Sequence, residues 1–208
     1  MTKREFKLNR KRLIRDIKNR CQELNVTLVL TNKRHVRYPG FGKGIAGFFE
    51  EHSKTSPAKL VSTIKGKWGL STLLHESSHM DQWIEDHKSW TQSNTEDGIF
   101  DEWLHGKKFK KERIKKAASL IRSCELDCEK RTVEKLKKYK IGIGTKKYIK
   151  DANCYLFLYT FLLKSRKWPK TLPMGIKEIT DAMPDKFLDR YDRMPKKLEE
   201  LYWKYCND

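Results

Sequence analysis

The chain has 208 residues, of which 38% are hydrophobic and 11% aromatic, so it holds enough apolar material for a core and is not a disordered chain. Its net charge of +19, from 46 basic and 27 acidic residues, predicts attraction to polyanions such as nucleic acids; the alternative is a Lys-rich bias that only gives a solvated surface. The sequence has no run of 18 apolar residues and no apolar leader after Met1, so we expect neither a membrane span nor a secretory signal.

The first part of the chain predicts one helix followed by three strands. Apolar residues at helical spacing mark a basic helix over residues 8–24. Three apolar or β-branched runs then predict strands, at 26–31, 44–50 and 59–64. A turn is expected at 38–42. A small sheet needs a helix on one face, and the helical pattern at 67–86 supplies it.

The remainder of the chain predicts helices. The polar, acidic stretch 86–106 contains one short helical segment at 99–104. Longer helical patterns follow, at 108–139, 147–164 and 185–206. The predicted fold class is therefore α+β, mainly helical, with a three-stranded sheet packed on helix 67–86 and with C-terminal helices. We expect a core domain at 1–145 and a helical extension at 146–208 packed on it.

The segment that indicates chemistry is the HExxH motif formed by His75, Glu76 and His79. A four-residue spacing puts both imidazoles on one face of a helix, where both can bind one ion. Glu76 can reach a metal-bound water and act as the general base. Zinc suits this ligand set. The alternative is two hydrogen-bonded helix histidines with an exposed Glu76.

A third ligand is expected on the helix 108–139. Glu125 is the favoured ligand, with Glu129 orienting a histidine, because both flank the buried stripe of that helix. Asp127 becomes the alternative ligand if the helical phase differs by one residue. A solvated charged face is the competing interpretation. His87 lies too close to His79 in sequence to fold back onto the same ion.

The five cysteines form no CxxC pair and indicate reduced thiols in a cytoplasmic protein. Cys124 and Cys128 are spaced to hold a metal themselves. Packing of two small buried thiols toward the histidine helix is the preferred interpretation.

The order of these elements resembles the small gluzincins of the ImmA/IrrE type, which are cytoplasmic zinc metallopeptidases. The resemblance covers residues 10–140 and is carried by three segments, GIAGFF at 44–49, LVSTI at 60–64 and GLSTLLHESSH at 69–79. Ser78 stands where the family often has glycine. The resemblance implies a zincin-like fold, a Zn²⁺ cofactor and a peptide or protein substrate. The Lys-rich composition also resembles that of bacteriophage-encoded proteins, which would work in the host cytoplasm.

The leading functional hypothesis is a zinc metallopeptidase that holds an extended substrate along the strand 44–50. Candidate oxyanion-stabilising residues are Tyr155, Tyr159 and His105. No membrane partner is expected, and the sequence does not determine the oligomeric state.

Two other functions compete with this hypothesis. One is a nucleic-acid-associated protein with a structural zinc, supported by basic stretches at 107–116 and 130–150 and by tryptophans that could stack on bases, Trp90, Trp103 and Trp168. A SprT/Spartan-like protease would combine both activities but carries a further histidine. The other is a non-catalytic zincin scaffold that binds a protein partner.

Overall fold

The computed structural model describes residues 1–38 and 44–207, apart from the side chain of Lys67. Helices and strands within these residues are, in chain order, α1 (Lys3–Glu23), β1 (Thr27–Thr31), β2 (Gly47–Glu50), β3 (Lys59–Thr63), α2 (Gly66–Ile84), α3 (Lys88–Leu104), α4 (Lys111–Tyr139), α5 (Thr145–Ser165), α6 (Lys177–Ala182) and α7 (Lys196–Cys206). A 3-10 turn at Pro173–Gly175 precedes α6. The predicted class, mainly helical α+β with a small sheet, is confirmed. The turn predicted at 38–42 falls almost entirely outside the described residues.

Helix α1 begins five residues earlier than its apolar pattern indicated, because a capping box fixes its first turn. The Thr2 hydroxyl accepts a hydrogen bond from the Glu5 amide, and the Glu5 carboxylate accepts one from the Thr2 amide. The apolar face of α1 is buried at Leu13, Ile17 and Cys21.

The three predicted strands form one mixed sheet in the order β1-β3-β2. Strand β3 is central, parallel to β1 and antiparallel to β2. Leu60 and Ser62 of β3 are fully buried, because the central strand is paired on both sides and α2 packs against it. Strands β1 and β2 are the two edges.

Helix α2 follows β3 after two residues and packs against β3 and β2. Its first turn lies so close to β3 that a Cβ at Gly69 would meet the Thr63 carbonyl oxygen at 2.8 Å. Leu70, Leu73 and Leu74 are fully buried on the same helix. The helix predicted to cover the sheet therefore does so.

The helix predicted at 99–104 forms the last part of a longer helix, since α3 runs over 17 residues and only its start was missed. The His87 ring nitrogen Nδ1 caps its start by accepting from the Ser89 amide at 3.4 Å. Polar residues dominate α3, and its buried side is marked only by Trp90, Ser93 and Phe100 besides Ser89. A stripe this narrow hides the helical period in the sequence.

The predicted helix at 185–206 was also wrong in its first half, since α7 begins at Lys196 behind the N-cap Pro195. Proline has no N–H to continue a helix and suits a helix start. The preceding segment is held by Tyr191, whose hydroxyl donates to Asn153 Oδ1 and accepts from the Leu188 amide at 3.0 Å. The six-residue helix α6 was not predicted.

The chain forms two compact units. The first unit comprises Met1–Asp86 and Lys130–Ile143, and the second comprises His87–Glu129 and Gly144–Asp208. The second unit has its own core, in which α5 contributes Leu156, Phe157 and Phe161. The predicted boundary after residue 145 lies two residues from the last of these divisions, whereas residues 87–129, predicted as part of the core domain 1–145, belong to the second unit. No helix in the described part of the chain is long and apolar enough to cross a membrane.

Candidate metal centre

Helix α2 holds the two motif histidines side by side. The ring centroids of His75 and His79 are 4.8 Å apart and the ring planes are nearly perpendicular, at 89°. His79 is only 9% exposed and His75 is half-buried. The imidazoles therefore occupy one face of the helix, at a separation that lets both reach one ion.

Gln82 sets the protonation pattern of His79. His79 Nδ1 lies 2.9 Å from Gln82 Oε1, and Gln82 is fully buried one turn further along α2. An amide oxygen only accepts hydrogen bonds, so Nδ1 is the nitrogen that carries the hydrogen. In that neutral tautomer the Nε2 atom has the lone pair with which an imidazole binds a metal.

Glu76 lies beneath β2 and is only 8% exposed. A Cβ built on Gly47 of β2 would meet Glu76 Cγ at 3.2 Å, Thr72 Cγ2 at 2.8 Å and the Val61 carbonyl oxygen at 2.8 Å. The missing side chain at Gly47 is therefore what allows the strand to pass directly over the acidic residue of the motif.

The two serines inside the motif, Ser77 and Ser78, contact the C-terminal half of α4. The Thr132 hydroxyl donates to Ser78 Oγ at 3.2 Å, and Lys135 Nζ donates to Ser77 Oγ at 2.8 Å. Lys135 also pairs with Asp81 at 2.7 Å. All five residues belong to the first unit. A glycine in place of Ser78 would offer no hydroxyl to Thr132, so the hydrogen bond with Thr132 is a structural reason for a serine at this position.

Cys128 completes a possible metal cluster with the histidines. Each of the three residues, His75, His79 and Cys128, offers one ligand atom, and these three atoms lie within 4.8 Å of one another. Cys128 stands one turn before Thr132 on the continuous helix α4, two residues ahead of the division between the units.

The donor set of two imidazoles and one thiol fits zinc chemistry. Zinc bonds of about 2.0–2.3 Å to nitrogen and sulfur separate tetrahedral ligand atoms by about 3.4–3.6 Å. All five cysteines are buried and in no disulfide, as the sequence indicated. Cys128 was expected to pack toward the histidine helix, and its place beside both imidazoles was not predicted.

The carboxylates predicted as ligands are not members of this cluster. Asp127 Oδ2 lies 3.8 Å from His87 Nδ1, and both side chains are partly exposed. Glu125 is half-buried and Glu129 is only 5% exposed. Neither glutamate is turned fully to solvent, and metal binding by Glu125, Glu129 or Asp127 stays a prediction.

Glu129 acts electrostatically on other residues of the second unit, to which it belongs. The pKa of Asp151 is raised, first by burial and less by the Glu129 charge, while Lys147 opposes the shift. Burial, and more weakly Glu129, also raise the pKa of Tyr191 to about 12.

The tyrosines considered for oxyanion stabilisation bond to each other. The hydroxyls of Tyr155 and Tyr159 are 2.9 Å apart. The pKa of Tyr159 is raised well above its ordinary value, mainly by burial and then by Tyr155 and Glu125, so this hydroxyl stays protonated. His105 is exposed at the end of α3, with Nδ1 at 2.9 Å from the Asp101 carbonyl oxygen. An oxyanion role for any of the three stays a prediction.

Neither a protein-family model nor a curated protein nor a solved structure matches this chain. The resemblance to small gluzincins therefore rests on the residues and motifs of the sequence.

Proposed function

We propose that this protein is a zinc-dependent metallopeptidase with a zincin-like fold. The observation that carries the proposal is the arrangement of α2, which presents two adjacent imidazoles with the buried Glu76 beside them. A solvated helix face would expose the glutamate and would not fix a histidine tautomer through a buried glutamine. Imidazole nitrogens with a neighbouring carboxylate are the groups that hydrolytic zinc sites use.

His75 and His79 are the two histidine ligands, and Cys128 supplies the third protein ligand. Cys128 is preferred to Glu125 because its sulfur lies within 4.8 Å of an atom of each imidazole. The three residues would leave a fourth position for water or substrate. Glu125 is the alternative ligand.

When bound, zinc supplies a Lewis acid and lowers the pKa of a bound water. The Glu76 carboxylate accepts one proton from the water that attacks the scissile carbonyl carbon. Glu76 then returns that proton to the amide nitrogen as the C–N bond breaks, which releases an amine and a carboxylic acid. Burial beneath Gly47 keeps this carboxylate away from bulk water, which strengthens its interactions at the site.

The outer edge of β2 is suited to bind an extended peptide. The Thr63 amide donates to the Ala46 carbonyl oxygen at 2.8 Å, so Ala46 and every second residue after it bond to β3. The main-chain N–H and C=O groups of Gly47 and Phe49 consequently point away from β3. A substrate strand added there would pass directly beside Glu76.

The proposal is tested by zinc content and cleavage specificity of the full chain. A proteome-derived peptide library, read by mass spectrometry, serves as substrate for the wild type and for Glu76→Gln. Glu76→Gln should keep zinc and lose cleavage, because an amide cannot accept the proton. His79→Ala should lose zinc and some stability, since metal binding is coupled to the folded state. Wild-type protein without zinc, or Glu76→Gln with full cleavage, would refute the peptidase proposal.

A second comparison identifies the third ligand. Cys128→Ser should weaken zinc affinity at least tenfold, whereas Cys124→Ser is the matched control, a buried thiol one turn earlier on α4. Glu125→Gln should leave affinity unchanged. If Glu125→Gln loses zinc and Cys128→Ser does not, the carboxylate is the ligand.

A further inference from the structure

Helix α1 carries an exposed row of basic residues along one face. The row, called the α1 stripe here, consists of Arg4, Lys7, Lys11, Arg15 and Lys18. Their spacings of three and four residues place them within about 80° of the helix circumference, along about 21 Å of its length. All five are exposed, while the buried face of the helix is turned into the core.

The acidic residues of α1 are kept off this row. Glu5, Asp16 and Glu23 fall close to one another on a different side of the helix. Among the described residues, Arg15 forms an ion pair, with Asp16 at 3.2 Å, and the other four cations of the stripe form none. Like charges at these spacings destabilise a helix, so the row has an energetic cost that fold stability does not explain.

Further cations lie beside the stripe, at the end of α4. Arg12 Nη2 donates to the Lys138 carbonyl oxygen at 2.6 Å, and Asn9 Nδ2 donates to the Lys140 carbonyl oxygen at 3.0 Å. These bonds hold two more exposed lysines against α1. The first unit has 23 basic and 10 acidic residues, a net charge of +13 out of +19 for the chain.

The basic stretch predicted at 130–150 is much less available to a polyanion. Five of its nine cations are in ion pairs, namely Arg131 with Glu85, Lys135 with Asp81, Lys137 with Glu134, Lys146 with Asp185 and Lys147 with Asp151. Positive charge that is already paired contributes little to counterion release.

We propose that the α1 stripe binds the sugar–phosphate backbone of double-stranded DNA, without reading its sequence. A duplex displays a regular line of charge, about one per 1.7 Å of axis, which a straight row of cations over about 21 Å can follow. The stripe contains no aromatic residue, so it lacks the stacking surface typical of single-strand binding. A membrane is a poorer match, because the apolar face of α1 is buried at Leu13, Ile17 and Cys21. This binding is independent of zinc and of Glu76.

The test uses the full chain and a fluorescein-labelled DNA duplex of about 20 base pairs, titrated between about 50 and 200 mM salt. The triple variant Lys7→Gln, Lys11→Gln, Lys18→Gln should bind at least tenfold more weakly at the low salt concentration. Its slope of log affinity against log salt should be smaller by about 2–3. The charge-preserving set Lys7→Arg, Lys11→Arg, Lys18→Arg should retain wild-type binding.

A control of equal charge change lies in the second unit, at the other predicted basic stretch. The variant Lys108→Gln, Lys111→Gln, Lys115→Gln removes three exposed lysines and should change affinity less than twofold. Glutamine has about the same helix propensity as lysine, so the melting temperature of the stripe variant should not fall. The proposal would be overturned if the control variant lost as much affinity as the stripe variant, or if the wild type did not bind at low salt. It would also be overturned if a polyglutamate peptide or phosphatidylserine vesicles competed as well as unlabelled duplex DNA.

Discussion

The contact between β2 and α2 can be tested by adding a single methyl group, in the substitution Gly47→Ala. The new Cβ would lie 2.8 Å from the Val61 carbonyl oxygen and 2.8 Å from Thr72 Cγ2. Side chains can move aside, but the Val61 oxygen belongs to the central strand, which is paired on both sides. Strand β2 must therefore shift away from α2. Overpacking of this kind costs about 1–3 kcal/mol.

A matched control is Gly98→Ala on α3, where an added Cβ meets nothing within 4 Å. Alanine in a helix interior is favoured over glycine by about 1 kcal/mol, so this substitution should stabilise the protein. Urea denaturation of both variants and the wild type gives the two changes in unfolding free energy. We expect opposite signs, with a difference of about 2–4 kcal/mol between the variants.

The same substitution connects packing with function. Glu76 Cγ lies 3.2 Å from the added Cβ, so Gly47→Ala should displace the carboxylate as well as the strand. Cleavage should fall while zinc content stays near the wild-type value, because the histidines lie on α2 itself. A Gly47→Ala protein as stable as the wild type would refute the close packing of β2 on α2.

Two further substitutions test single hydrogen bonds. Gln82→Leu removes the hydrogen-bond acceptor for His79 Nδ1 and should lower zinc affinity about 10–100-fold, measured by competition with a chromogenic chelator. Unchanged affinity would mean that the glutamine does not orient the ring. Tyr202→Phe deletes the hydrogen bond from the buried Tyr202 hydroxyl to the Cys154 carbonyl oxygen at 2.6 Å. It should lower the free energy of unfolding, measured by urea denaturation, by about 0.5–1.5 kcal/mol, and a more stable variant would contradict that bond.

Local patterns predicted the elements on which the candidate site depends. The runs of β-branched and apolar residues correspond to β1, β2 and β3, because a strand half-buried in a sheet selects such residues at each position. The HExxH residues lie on α2 because Leu70, Leu73 and Leu74 impose a helical period on that segment. Helices with a narrow buried stripe, such as α3, and short ones such as α6 carried too little periodic signal.

The sequence by itself determined the spacing of His75 and His79 and the charge pattern of α1, since both are fixed by the helical repeat. Only the tertiary structure decided that β3 lies between β1 and β2 and runs parallel to β1, and that Cys128 lies near the histidines. Periodicity gives the buried side of α4 but not its rotation or height against α2. Those are set by contacts between residues distant in the chain, here Thr132 with Ser78 and Lys135 with Ser77.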